Sequence, residues 1–321
     1  MRFGQKLLLA AAGMAIWTPC MPEALDGNDV GVYGIAWADY VLEHPKDFDF
    51  FIYQARLLDQ PPEEILDKVK AFKAAGVPVV LDMQFYENSE QRGMREGAPP
   101  MKDVRHYADL YAHVLDHLPR DAVPLITIDE ENVYWDGRAE FLGDLYKTLK
   151  AQFPERSFYQ WYSPRLKPSI AIPGETWPDL PADGWVIDQY AVFGDKFASY
   201  ITAVKRLNKP LLAVMWAVPQ WKVADKSRHI DTEWWDKKGW KIFYSQLATY
   251  RKYDVPIALY ASAPRAEGNA ANVALYRSEN ECDRKFFSEL LEVTLPALRS
   301  DKRVAAEIPR QRPSWIPGHC G

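Results

Sequence analysis

Residues 124–137 read PLITIDEENVYWDG, an apolar run that ends abruptly in three acids, Asp129, Glu130 and Glu131. Side chains alternate along a strand, so Asp129 and Glu131 share a face with Thr127 while Glu130 points the other way. Two carboxyl groups this close resist joint ionisation. The one that keeps its proton nearer to neutral pH is in the state a general acid needs. Helix capping or neutralisation of Arg138 also explains acids in a strand-to-helix turn. Neither requires an i, i+2 pair embedded in an apolar strand.

A second carboxylate stands in VIDQYAVFG (186–194), where Asp188 and Tyr190 share a face. An acid inside an apolar strand is costly unless a cation or a function accounts for it. Asp82 and Gln84 share a face at the end of PVVLDMQF (78–85), and Tyr53 and Gln54 close FDFFIYQ (48–54). Such groups at a rim suit a hydroxyl-rich ligand. Trp135, Trp161, Trp177, Trp216 and Trp221 lie near strand ends or in polar loops, as do Trp37, Tyr86, Tyr162, Trp234 and Trp235. Core filling accounts for some of these rings. A ring in a wet loop also offers a flat apolar face to the C–H face of a sugar. His113 and His117 form H-x-x-x-H, but Val114 follows the first His where the metalloprotease motif has Glu, so no metal site is read there. There is also no G-x-S-x-G elbow for a serine hydrolase. Carboxylate chemistry, with no cofactor and no metal, is what remains.

These residues need a frame, and β-rich runs alternate with helical ones along nearly the whole chain. Candidate strands cover 30–37, 48–54, 78–85, 124–131, 157–163, 185–192, 210–218 and 256–262. Helical i, i+3, i+4 patterns occupy PEEILDKVKAFKAAG, DVRHYADLYAHVLDHL, AEFLGDLYKTLKAQF, KFASYITAVKRLN, WWDKKGWKIFYSQLATYRKY and CDRKFFSELLEVTLPALRS. Eight strands with interleaved helices predict the α/β class and a single (β/α)8 barrel over 25–321, with no linker at a domain boundary. Helix-to-strand links such as AAGVP and LNKP are short, whereas several strand-to-helix links are long and rich in Gly, Pro, Trp and charge. In such a barrel the long links gather at the C-terminal face, where sites are built. The stretch after the fifth strand carries Pro164, Pro168, Pro173, Pro178 and Pro181, which argue against a regular helix there.

The 321 residues are 48% hydrophobic and 26% charged, an ordinary globular mix that excludes a disordered or fibrous chain. A net charge of -5 gives no basic field for a nucleic-acid backbone, so small uncharged or carbohydrate partners fit better. Arg2 and Lys6 precede an apolar run from Leu7 to Trp17, too short to span a bilayer, which is the order of a signal peptide over 1–24. Export to the periplasm or the exterior is expected, without integral membrane association. Pro19 and Trp17 argue against lipid anchoring at Cys20. An oxidising compartment would permit Cys282 and Cys320 to pair, tying the C-terminal tail to the last helix; two free thiols are the alternative.

The D-x-E at Asp129 and Glu131, closing an apolar strand and followed by Trp135, resembles the strand-four motif of hyaluronidases and, more distantly, of chitinase-type barrels. The resemblance implies Glu131 as the acid that protonates the leaving oxygen, Asp129 as its helper at the substrate's N-acetyl group, and a holding Tyr matched to Tyr190. Glu130 replaces the aromatic residue usual in hyaluronidases, and the longer D-x-x-D-x-D-x-E is absent. A second route therefore stays open, with Glu131 as acid and Asp188 as nucleophile or base. The expectation is an exported glycoside hydrolase acting on a polysaccharide or glycan. A non-catalytic glycan-binding or surface-assembly protein on the same barrel is the alternative.

Overall fold

A computed structural model describes residues 25–58, 60–85, 103–119, 122–123, 125–128, 138–162, 181–188, 194–206, 208–216, 235–260, 262–263, 273–277, 281–300, 304 and 307–318. Eight parallel strands close into a barrel in chain order: β1 (Val30–Tyr33), β2 (Phe51–Arg56), β3 (Val79–Gln84), β4 (Leu125–Ile128), β5 (Phe158–Tyr162), β6 (Gly184–Asp188), β7 (Leu211–Trp216) and β8 (Ile257–Tyr260). The register is continuous around the ring and sealed by β1 on β8, where Gly31 faces Ala258. The helices are α1 (Ala38–Glu43), α2 (Pro62–Ala74), α3 (Val104–Leu115), α4 (Arg138–Gln152), α5 (Gly194–Lys205), α6 (Trp240–Lys252), α7 (Glu281–Glu289) and α8 (Leu295–Ser300). A two-stranded ribbon, β9 (Ser262–Ala263) with β10 (Val273–Ala274), follows β8.

Local chemistry sets the boundaries. Pro61 and Pro62 start α2, Glu63 and Glu64 occupy its first turn and Lys73 its last, matching the helix dipole. Gly76 then takes φ 75, the left-handed conformation that ends the helix. Asp103 caps α3 by accepting the His106 N–H at 2.8 Å. The first strand is shorter than its apolar run. Gly34, at φ 116, turns the chain after Tyr33 into a 3-10 turn (Ile35–Trp37) and α1, a helix too short for a periodicity reading to find. The last helical run is not one α-helix. Between α7 and α8 lies a π-helical turn, Leu290–Thr294, in which the Leu295 N–H reaches the Leu290 carbonyl. Pro296, at the second position of α8, has no N–H to give and crowds the preceding turn, so the ladder widens there.

Two apolar layers follow from strand parity. Val79, Leu81, Ile126, Ile128, Phe158, Ile187 and Ala213 face outward into the helix layer, with Ile65, Val69, Phe72, Leu142, Leu145 and Leu149 of α2 and α4. Phe50, Ile52, Val80, Leu125, Val186, Leu212, Val214 and Ala258 fill the barrel itself. Inward-facing glycines make room for large rings. A Cβ on Gly31 would lie 2.5 Å from the Phe50 ring, and one on Gly184 would lie 2.4 Å from the Tyr159 ring. Small beside large is how a barrel lumen reaches interior packing density. Among the described residues no helix is long and apolar enough to cross a membrane.

Candidate functional site

The inward side chains change character toward the strands' C-terminal ends. From Phe50, just before β2, the inward series runs on through Ile52, Gln54 and Arg56; on β3 it runs Val80, Asp82, Gln84; on β6, Val186 gives way to Asp188. Apolar residues plug the lumen and polar ones stand above them. This is the face where a barrel can carry chemistry without opening its core.

Asp82 is the hub of the described part of this mouth. Fully buried, its carboxylate accepts hydrogen bonds from Gln84 Nε2 at 2.6 Å, Thr127 Oγ1 at 2.6 Å and Trp161 Nε1 at 3.0 Å. The three donors come from β3, β4 and β5, so one carboxylate ties three strands together. Gln54 Nε2 donates to the Tyr33 hydroxyl on β1, and Gln54 Oε1 accepts from the Ile35 N–H at 3.4 Å. The Tyr33 ring lies 5.5 Å from Trp161 and 5.7 Å from Tyr260, both tilted contacts. Aromatic rings from β1, β5 and β8 thus meet across the axis as a floor beneath the mouth.

Asp188, at the end of β6 beside Val214 of β7, is 2% exposed. It lies close enough to Tyr250 of α6 to act on it electrostatically. Burial, and then the Asp188 charge, push that phenol well above its ordinary range. The Tyr250 hydroxyl has no hydrogen-bond partner among the described residues. The sequence placed Thr127 on the axial face of β4, and its bond to Asp82 puts it there.

Asp82, Gln84, Trp161 and Asp188 come together as inward-facing groups of one mouth. The first three are at most 1% exposed, so they act as the bed under a ligand rather than as a wall beside it. Tyr53 is a correction. It faces outward, packs on Phe51 and Phe72, and lies 3.3 Å from Gln60 Nε2. In a strand ending Tyr53-Gln54 only one of the two can face the axis, and Ile52 fixes the parity in favour of Gln54. Trp37 and Trp235 are likewise core rings. Trp37 sits among Tyr40, Phe48, Tyr276 and Phe287, and Trp235 donates to the Pro317 carbonyl at 2.9 Å. Asp129, Glu131, Trp135, Trp177, Tyr190, Trp221 and Cys320 lie outside the described residues, as do Tyr86 and Trp234; for Tyr162 and Trp216 only the strand position is described.

Tyr33, Tyr260 and Arg56 were not singled out by sequence. The signal for Arg56 was present: an inward series that turns from apolar to polar at i, i+2 steps marks the mouth end of a strand. His113, on α3, and His117, just beyond its end, are both exposed, the His117 ring 2.9 Å from the His113 carbonyl. Among the described residues no group of three or more His, Cys, Asp and Glu converges on a metal position.

No protein-family model matches the chain, and no curated protein matches it. Solved structures do. Bacteroides uniformis beta-glucuronidase 2, covalently bound to cyclophellitol-6-carboxylate aziridine, matches with a TM-score of 0.53 and 13% identity over 84% of this chain and 35% of that one. The FMN-binding beta-glucuronidase of Facaelibacterium prausnitzii L2-6 matches at 0.51 and 10%, over 82% of this chain and 44% of that one. Thermotoga maritima Cel5A, in complex with mannotriose, matches at 0.51 and 12%, over 72% of this chain and 89% of that one. The chain therefore spans less than half the length of the two glucuronidases. At these identities the likeness shows the fold alone, and that fold is a closed eight-stranded α/β barrel of the kind on which these sugar-active proteins are built.

Proposed function

We propose that this protein is an exported glycoside hydrolase acting on a polysaccharide or glycan, with Glu131 as general acid and Asp129 as its helper. Asp188 is the partner carboxylate. The observation that carries the reading is the mouth itself. A buried acid, Asp188, stands at the rim of a lumen floored by Tyr33, Trp161 and Tyr260 and stiffened by the Asp82 network. Rings and fixed polar groups are what a sugar needs beneath it, and a carboxylate in a dry setting is what glycosidic cleavage needs beside it. The fold likeness is to a beta-glucuronidase and to a protein solved in complex with mannotriose, which agrees with a carbohydrate substrate.

In this mechanism Glu131 gives its proton to the leaving oxygen while charge develops at the anomeric carbon. Asp188 either attacks that carbon or takes a proton from the attacking water. A separation of about 5–5.5 Å between the two carboxyls goes with retention, and a wider one with inversion.

The test is release of reducing ends from a panel of purified polysaccharides by the mature protein and by Glu131→Gln. Loss of a general acid lowers turnover by roughly 10²–10⁴-fold while leaving glycan binding in place. Unchanged turnover removes Glu131 from the role. A panel that is bound but never cleaved transfers support to the glycan-binding alternative.

A further inference from the structure

Arg56 is the last inward position of β2, registered opposite Gln84 of β3. Its backbone is held from several sides. The Arg56 N–H donates to Gln60 Oε1 at 2.8 Å, its carbonyl accepts from the Gln60 N–H at 2.9 Å, and the next N–H, of Leu57, donates to the Gln84 carbonyl at 2.7 Å. Gln60 is itself braced by Glu64 Oε1 at 3.1 Å. The half-buried side chain on this rigid mount makes no hydrogen bond or ion pair with any described residue.

The other half-buried or buried arginines among the described residues behave differently. Arg156 donates to the carbonyls of Leu118 and Pro119, and Arg251 to those of Gly27 and Leu298. Arg312 pairs with Asp236. Arg56 alone in this set has a firmly held backbone and a side chain with no acceptor among the described residues. A guanidinium is a planar fork matched to oxyanions, and half-burying it without one is unfavourable unless a ligand completes it. On the neighbouring strand, the Asp82 oxygens already receive Gln84, Thr127 and Trp161.

We infer that Arg56 binds an anionic substituent, carboxylate or sulfate, on the sugar occupying the mouth, so that the substrate is an acidic glycan. The inference rests on the carbohydrate reading above and adds the charge of the ligand to it. In a chain of net charge -5 the long-range field does not favour such a substrate, which leaves recognition to a local cation.

Binding is measured by calorimetry on Glu131→Gln protein, so that turnover plays no part. The probes are oligosaccharides of glucuronic, galacturonic and mannuronic acid, each beside its methyl ester, together with sulfated galactan oligosaccharides. At least one acidic probe should bind about 10-fold or more tightly than its uncharged counterpart, with the preference shrinking as salt is raised. Adding Arg56→Gln should abolish that preference, and Arg56→Lys should keep part of it, with thermal midpoints near that of the parent. Binding of the sulfated probes alone identifies sulfate as the group. The inference is overturned if no acidic probe binds, if the esters bind as well as the acids, or if Arg56→Gln leaves the preference intact. If wild-type protein binds an acidic probe but releases no reducing ends from any glycan, the hydrolase reading fails while the Arg56 assignment stands.

Discussion

Asp82 shows how a single residue can organise a site it need not touch. Three donors from three strands converge on its buried carboxylate, so Asp82→Ala leaves the Gln84 amide, the Thr127 hydroxyl and the Trp161 indole N–H without that acceptor. Each buried donor so orphaned costs about 1–3 kcal/mol, and urea denaturation should show a loss of about 3 kcal/mol or more. Asp82→Asn keeps an acceptor oxygen and should lose less. At the opposite end of the barrel, Asp29 has its carboxyl raised above the ordinary carboxylate value of 3.8, first by burial and then by the nearby Asp49 and Asp26 charges. A raised acid favours the protonated folded state, so its ionisation costs stability as pH rises through the window between the unfolded and folded values. Below that window both states are neutral and the cost vanishes. Asp29→Asn should therefore stabilise the protein at pH 7, by less than about 1 kcal/mol for a partly exposed group, and should change nothing at pH 3. Equal gains at both pH values would contradict this account.

At the scale of elements, the barrel closes because its inward positions alternate large and small. Gly184→Ala puts a Cβ 2.4 Å from the Tyr159 ring, on a strand held by neighbours on both sides. Overpacking of this kind costs about 1–3 kcal/mol, and a smaller residue at Tyr159 should relieve part of it in a double-mutant cycle. The start of β6 is pinned to α4 and β5 through Asp183, which accepts from Lys150 Nζ, the Tyr146 hydroxyl and the Phe158 N–H, each at 2.9 Å. Burial and the Asp183 partner hold the Tyr146 phenol up at about 12, against an ordinary 10.0. A phenol raised in the folded state supplies stability that is present below the unfolded value and lost as pH climbs from about 10 to about 12. Tyr146→Phe should cost about 1 kcal/mol at neutral pH and should flatten the alkaline limb of a denaturation profile.

At the scale of the molecule, the tail finishes the fold. Arg312 reaches Asp236 at 2.7 Å, Trp235 donates to the Pro317 carbonyl, and the Gly318 N–H donates to Glu289 at 2.9 Å. Cys282, on α7, is disulfide-bonded, and its partner lies outside the described residues. With Gly318 docked on α7 two residues before Cys320, a peptide map under non-reducing conditions should join Cys282 to Cys320. Cys282→Ser should then cost about 2–4 kcal/mol. All eight strands were legible from composition and rhythm, because a strand buried on both faces must be apolar and a helix must show a stripe. Asp82, Gln84 and Asp188 were legible as polar positions of otherwise apolar strands, because a polar group inside an apolar run stands out. What the linear order could not supply was parity and partnership. Which of Tyr53 and Gln54 meets the axis depends on the register of β2 against β1 and β3. That Asp82 receives Thr127 and Trp161 depends on strands 45 and 79 residues away being brought alongside. That Arg56 has no acceptor among the described residues could be known only once those neighbours were in place. Sequence determined the layers, since burial is a property of residue type and spacing. Tertiary structure decided which polar groups satisfy one another and which are left for a ligand, since that is a property of distance.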